Sequence, residues 1–142
     1  MIKIRHTGIV TKNLRKSLLF WSKYLKFRIH KEADESGKLI DEIMLYKNAK
    51  VKTIKLKDSS GLLIEILFFK NSPQIKKNYI TPYSNGITHI SLTVKNINRL
   101  YKFLLKKKIK FNSVPQISAD GKVIMTYCKT PEGAFLELVQ EI

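Results

Sequence analysis

An internal repeat constrains this chain more than any other feature of its sequence. His6, Lys12, Asn13 and Leu14 recur at the same intervals as His89, Lys95, Asn96 and Ile97. Toward the end of each half, the pair Gly61 and Glu65 recurs as Gly133 and Glu137. The interval from His to Glu is longer in the first half, a difference that belongs in loops. Two matched His–Glu pairs in the same order point to one supersecondary unit used twice.

Each half then reads as the same βαβββ unit. Ile2–Val10 and Ile87–Val94 alternate apolar and polar residues as strands do. Asn13 and Asn96 are plausible N-caps. After them Leu14, Leu18, Trp21 and Leu25, and again Ile97, Leu100, Tyr101 and Leu104, follow a helical spacing. Three strand candidates follow in the first half, Leu39–Tyr46, Val51–Leu56 and Leu62–Phe69. Three follow in the second, Phe111–Pro115, Lys122–Cys128 and Ala134–Gln140. Asp58 to Gly61 and Thr130 to Gly133 have turn chemistry just before the last strand of each unit. The expected class is α+β, a single domain over residues 1–142 with a module at 1–70, a linker at 71–86 and a module at 87–142.

Strand alternation places His6 on one face with Ile4 and Gly8, and His89 with Ile87, Ser91 and Thr93. Glu65 lies between Ile64 and Ile66 and interrupts an apolar strand, while Glu137 shares its face with Phe135 and Val139. A carboxylate in such a strand is costly to bury unless paired or metal-bound. With a strand histidine matched to each, His6, Glu65, His89 and Glu137 together suggest a four-ligand metal site. Imidazole and carboxylate donors suit one divalent ion such as Zn, Ni, Co, Fe or Mn. His30 has no repeat partner and reads as a surface residue. Cys128 lies on an alternating strand and reads as a small core residue rather than a nucleophile.

Composition bounds the partners. The 142 residues are 44% hydrophobic, enough for a real core, and no apolar run approaches the ~20 residues of a membrane span. The first residues run straight into a strand-like pattern, so no signal peptide is expected, and a lone cysteine excludes an internal disulfide. A cytoplasmic protein is the default. The net charge of +16 comes from lysines spread over the chain, and no zinc-finger spacing, RNP-type motif or phosphate loop accompanies it. A solvated basic surface is therefore expected, not a nucleic-acid face. An anionic small-molecule substrate is compatible with that charge, held by residues such as Arg5 or Lys55.

The chain resembles the vicinal-oxygen-chelate superfamily, which includes glyoxalase I, methylmalonyl-CoA epimerase, extradiol dioxygenases and fosfomycin- or bleomycin-resistance proteins. The resemblance spans essentially the whole sequence. It rests on His6 with the segment Ser17 to Leu25, on Gly86 to Val94 around His89, and on Thr130 to Val139 around Glu137. The last segment is similar to the family's D-P-[DE]-G-x-x-[IL]-E-[LIF] ending. Two departures are Leu25-Lys26-Phe27, where the family often has Leu-Gly-Phe, and Asp58 to Gly61, which only loosely matches a D-P-D-G turn.

What the resemblance implies is a pair of βαβββ modules forming a half-open barrel around a divalent metal held by His6, Glu65, His89 and Glu137. Two His and two Glu is the glyoxalase I set. The dioxygenases and fosfomycin-modifying members need no carboxylate at the Glu65 position, the epimerase has Gln there, and bleomycin-binding members use no metal. The implied reaction is that of an isomerase, epimerase or lyase, in which a metal-stabilised enediolate forms while a proton moves beside a carbonyl. Glu137 is one candidate base. Glu42, in a segment similar to one that supplies the epimerase's base, is the other. A non-catalytic binding or resistance protein of the same fold, and an Fe-dependent dioxygenase, are the alternatives. Family members build the site within one chain or by exchanging modules in a homodimer, and a homodimer is expected.

Overall fold

A polar, charged strand sits at the outer edge of the first sheet, where the hydrophobic pattern gave no hint of one. The structure, a computed structural model, describes residues 1–72 and 79–142. It divides into two compact units, Met1–Lys77 and Asn78–Ile142. Part of the expected linker, 73–78, lies outside the described residues.

In the first unit the order is β1 (Thr7–Val10), α1 (Leu14–Leu18) continuing as a π-helical turn (Leu19–Tyr24), β2 (Arg28–Ser36), α2 (Lys38–Met44), β3 (Lys50–Lys57) and β4 (Leu63–Phe69). In the second it is β5 (His89–Thr93), α3 (Ile97–Lys106), β6 (Gln116–Ile117), β7 (Val123–Lys129) and β8 (Phe135–Glu141). The sheets run β1-β4-β3-β2 and β5-β8-β7-β6, so the two units share one topology. In each, the first and last strands pair in parallel and the remaining pairs are antiparallel. The α+β class and the repeated module are as expected.

Three expectations need correction. Leu39–Tyr46 is not a strand: Lys38–Met44 is the helix α2, opened by Gly37 at φ +96° and closed by Leu45 at φ +50°. Leu39, Ile40, Ile43 and Met44 fit a helical stripe as well as a strand, and short apolar runs of this kind do not discriminate. The missing strand is β2, whose edge position explains its charged sequence, since charge on an edge discourages pairing with other chains. Phe111–Pro115 supplies one isolated bridge, Phe111 to Cys128, and the edge strand is the two-residue β6. The first strand is also shorter than expected, so His6 immediately precedes β1 and His89 opens β5.

Both long helices begin and end alike. Asn13 Oδ1 accepts from the Lys16 N–H at 3.0 Å, and Asn96 Oδ1 from the Arg99 N–H at 2.9 Å, satisfying donors the helix cannot. At the other ends Lys26 and Lys108 take left-handed conformations, φ +66° and +62°, where glycine is usual. Phe27 N–H then reaches Trp21 O and Ile109 N–H reaches Leu104 O, closing each helix. Lys26 is thus a strained lysine at a position that favours glycine. The π-helical turn widens the helix enough for two consecutive aromatic residues, Phe20 and Trp21, to be buried together. Their rings meet edge to face at 5.2 Å, and Trp21 meets Phe27 at 5.5 Å.

Alternation sorts each last strand. In β4, Ile64 and Ile66 are buried on one face, together with Ile54 and Leu56 of β3. In β8, Leu136 and Leu138 are fully buried. Glu65 and Glu137 point the opposite way. On the Glu65 face α2 covers the far end, where Ile40 packs with Val51 and with Met44, Leu67 and Phe69. No helix among the described residues is long and apolar enough to cross a membrane.

Candidate functional site

Register brings each histidine to its glutamate. Glu65 stands directly across the parallel pair from Gly8, two residues after His6, and Glu137 stands across from Ser91, two residues after His89. Residues two apart share a face of a strand, so in each unit the two side chains are diagonal neighbours on one face. His6 Nε2 lies 3.0 Å from Glu65 Oε2, and His89 Nε2 lies 3.9 Å from Glu137 Oε2. The carboxylates are mostly buried, at 14% and 13% exposure. Among the described residues, neither pair gains a third His, Cys, Asp or Glu side chain as a partner in ligation.

The donors fit a divalent ion. Two ligands at ~2.1 Å from a metal and at right angles stand roughly 3 Å apart, the spacing of the His6–Glu65 pair. His89–Glu137 is wider. His89 Nδ1 lies 3.1 Å from Thr88 Oγ1, a contact that can hold the ring with Nε2 free to ligate. His6 Nδ1 is buried and has no hydrogen-bond partner.

Each glutamate also faces a residue that the pattern of the repeat did not single out as its partner. Lys55 is directly across the antiparallel pair from Glu65, and its Nζ is 3.4 Å from Glu65 Oε1. Tyr127 is directly across from Glu137. Burial raises the Tyr127 phenol above its usual range, and its hydrogen bond to Glu137 and that carboxylate's charge raise it further. The Tyr127 ring also meets His89 edge to face at 5.3 Å. Counting outward from the turns at Asp58–Gly61 and Thr130–Gly133 as hairpins would have found both residues, since hairpin register follows from the loop.

Glu42 is on α2 rather than on a strand. Its side chain is 62% exposed and pairs with Lys38 one turn earlier, at 3.8 Å. His30 is exposed on β2. Cys128 is fully buried, and burial pushes its thiol up to about 12, so it is a core residue with almost no thiolate. A groove of about 500 Å³ runs along α3, lined by Asn96, Asn98, Arg99, Lys102, Phe103 and Lys106. None of the His or Glu residues lines it, so the candidate site is identified by its side-chain chemistry and not by that concavity.

The family model described as Glyoxalase/Bleomycin resistance protein/Dioxygenase superfamily matches residues 3–138. No curated protein matches the sequence. Among solved structures, a glyoxalase family protein from Bacillus cereus is similar over 100% of this chain and 95% of its own, with a TM-score of 0.89 at 17% identity. A glyoxalase family protein from Enterococcus faecalis aligns over 96% of both chains, with a TM-score of 0.69 at 24% identity. The trypanothione-dependent glyoxalase I of Leishmania major aligns over 99% of this chain and 88% of its own, with a TM-score of 0.70 at 17% identity. At these identities the likeness is one of fold.

Proposed function

Because the chain belongs to the Glyoxalase/Bleomycin resistance protein/Dioxygenase superfamily, we propose that it is a metal-dependent isomerase, epimerase or lyase of the glyoxalase type, moving a proton at the carbon beside a carbonyl of a small substrate. The observation that carries this reading is the identical His–Glu diagonal in both units, with spacings of 3.0 and 3.9 Å. His6 and Glu65 would share one divalent ion with His89 and Glu137, from the same chain or from the partner in a homodimer. When bound, such an ion supplies Lewis acidity to a carbonyl oxygen.

The chain's own residues divide the remaining work. Glu65 is held by both His6 and Lys55, which suits a fixed ligand. Glu137 stands farther from its histidine and lies directly across from Tyr127, which suits a carboxylate that turns toward the substrate and accepts its proton. Tyr127 then positions that base. Glu42, exposed and paired on its own helix, is the lesser candidate, and Glu42→Gln is expected to leave proton exchange intact.

Metal content after dialysis against Co²⁺, and metal-dependent exchange of solvent deuterium into α-hydroxy carbonyl and thioester compounds, test the proposal. Stoichiometric metal is expected in the wild type and not in a His6→Ala, His89→Ala double variant. Metal retained by the folded double variant would overturn the ligand assignment. Sedimentation with and without Co²⁺ reads the dimer.

One observation favours a second reading. Glu65, His6 and Lys55 already form an ion-paired group that is satisfied without a metal, as a non-catalytic small-molecule binding protein would have. Tight ligand binding with no turnover under any of the five metals would establish it.

A further inference from the structure

The charges of the first sheet are sorted by face. On the face opposite Glu65, the edge-strand carboxylates are neutralised, Glu32 by Lys52 at 3.0 Å and Asp34 by Lys70 at 2.7 Å. On the Glu65 face, cations are set directly against cations. Lys31 stands across from Lys55, and Arg28 across from Lys57, with the Ile29–Leu56 pair and the register shift after Ile29 between them. Like charges opposite one another across strands are destabilising, and here two such pairs lie side by side.

Acid on that face is scarce. Glu65 contacts Lys55, and Glu35 lies beside Val51, four residue pairs farther along toward the end that α2 covers. Four cations therefore share that face with one mostly buried carboxylate, which Lys55 contacts. Repulsion kept in a folded sheet, while the other face of the same strands is neatly paired, calls for an anion from outside.

We propose that Lys55, with Lys31, Arg28 and Lys57 around it, is the subsite for an anionic group of the substrate, so that the substrate is a small carbonyl compound carrying a carboxylate or a phosphate. This rests on the metal-dependent reading above and names the substrate class of that same site. Lys55 is central because it touches Glu65 and so lies beside the reacting centre. Lys31 is exposed and flanks it. In the second unit the position matching Lys55 is Tyr127, which carries no cation.

The test uses Co²⁺-loaded full-length protein and three hydroxamates that present the same pair of chelating oxygens. Acetohydroxamate is neutral at its tail, succinic monohydroxamate carries a carboxylate, and phosphonoacetohydroxamate carries a phosphonate. Calorimetric titration of the wild type is expected to show one or both charged probes binding about tenfold more tightly than the neutral one, as a charge-assisted contact supplies. The probe preferred identifies carboxylate or phosphate as the group recognised. Lys55→Met is expected to abolish the preference, read as the ratio of charged-probe to acetohydroxamate affinity within the same variant, Lys55→Arg to keep it, and the exposed Lys31→Met to reduce it by a smaller factor. Equal affinities in the wild type, or a preference intact in both Lys55→Met and Lys31→Met, would overturn the anion subsite while leaving the metal reading in place. A wild type that binds neither Co²⁺ nor acetohydroxamate overturns the metal reading, and the subsite falls with it.

Discussion

Replacing Asp58 by alanine tests how the turn between β3 and β4 sets the register that places Lys55 opposite Glu65. The Asp58 carboxylate gathers the loop: Oδ1 accepts from the N–H groups of Ser60 and Leu62, each at 2.9 Å, and from Ser60 Oγ at 2.8 Å. Alanine keeps the backbone bond from Asp58 N–H to Leu62 O but removes all three of these. In an exposed turn water replaces part of each, so roughly 1 kcal/mol for each lost backbone donor, about 2 kcal/mol in all, is expected. With an unfolding entropy of ~2.1 cal/mol/K for each of 142 residues, that lowers Tm by about 7 °C.

The acid dependence carries the sign. Burial pushes the Asp58 carboxyl up, but hydrogen bonds from the Ser60 hydroxyl and from the backbone N–H groups of Leu62, Ser60 and Gly61 outweigh it and hold the net value below the ordinary 3.8. A depressed folded-state pKa means that the ionised carboxylate stabilises the fold above the unfolded value, and that this contribution is lost as pH falls through the folded one. Urea unfolding followed by circular dichroism should therefore show the gap between wild type and Asp58→Asn at pH 7, closing below pH 3.8. A difference under about 0.5 kcal/mol for Asp58→Ala, or a gap for Asp58→Asn that does not narrow in acid, would refute the account of this turn.

Two further perturbations probe the frame around the site. Leu138 is fully buried beside Glu137 on β8, and Leu138→Ala should cost about 3 kcal/mol by thermal or urea unfolding, without removing either histidine. Lys26→Gly relieves a left-handed lysine at the end of the first helix and should raise stability by up to about 1 kcal/mol, read as a higher Tm.

Much of the architecture was legible because it is written locally. The two Asn caps, the helical spacing through Trp21 and Leu104, the turn residues and the alternation of the last strands each act within a few residues of chain. Their repetition exposed the duplicated module and the His–Glu pairs. The edge strand β2 was not legible, because its stabilisation comes from backbone pairing with β3 and not from an apolar face of its own. Its charges looked like those of a loop. The segment Lys38–Met44 carried an apolar pattern that fits either period, and packing of Ile40 and Met44 over Val51 and Phe69 settles it as a helix.

The sequence by itself determined that there are two equivalent modules, and which four residues pair within them, since residue identity and spacing repeat along the chain. Only tertiary structure decided what stands beside those residues. Cross-strand register set Lys55 against Glu65 and Tyr127 against Glu137, and it laid Lys31 and Arg28 next to Lys55 and Lys57. The physical reason is that a strand's neighbours across a sheet are fixed by how hydrogen-bonded pairs align, and a shift of one residue would turn each of these side chains to the other face.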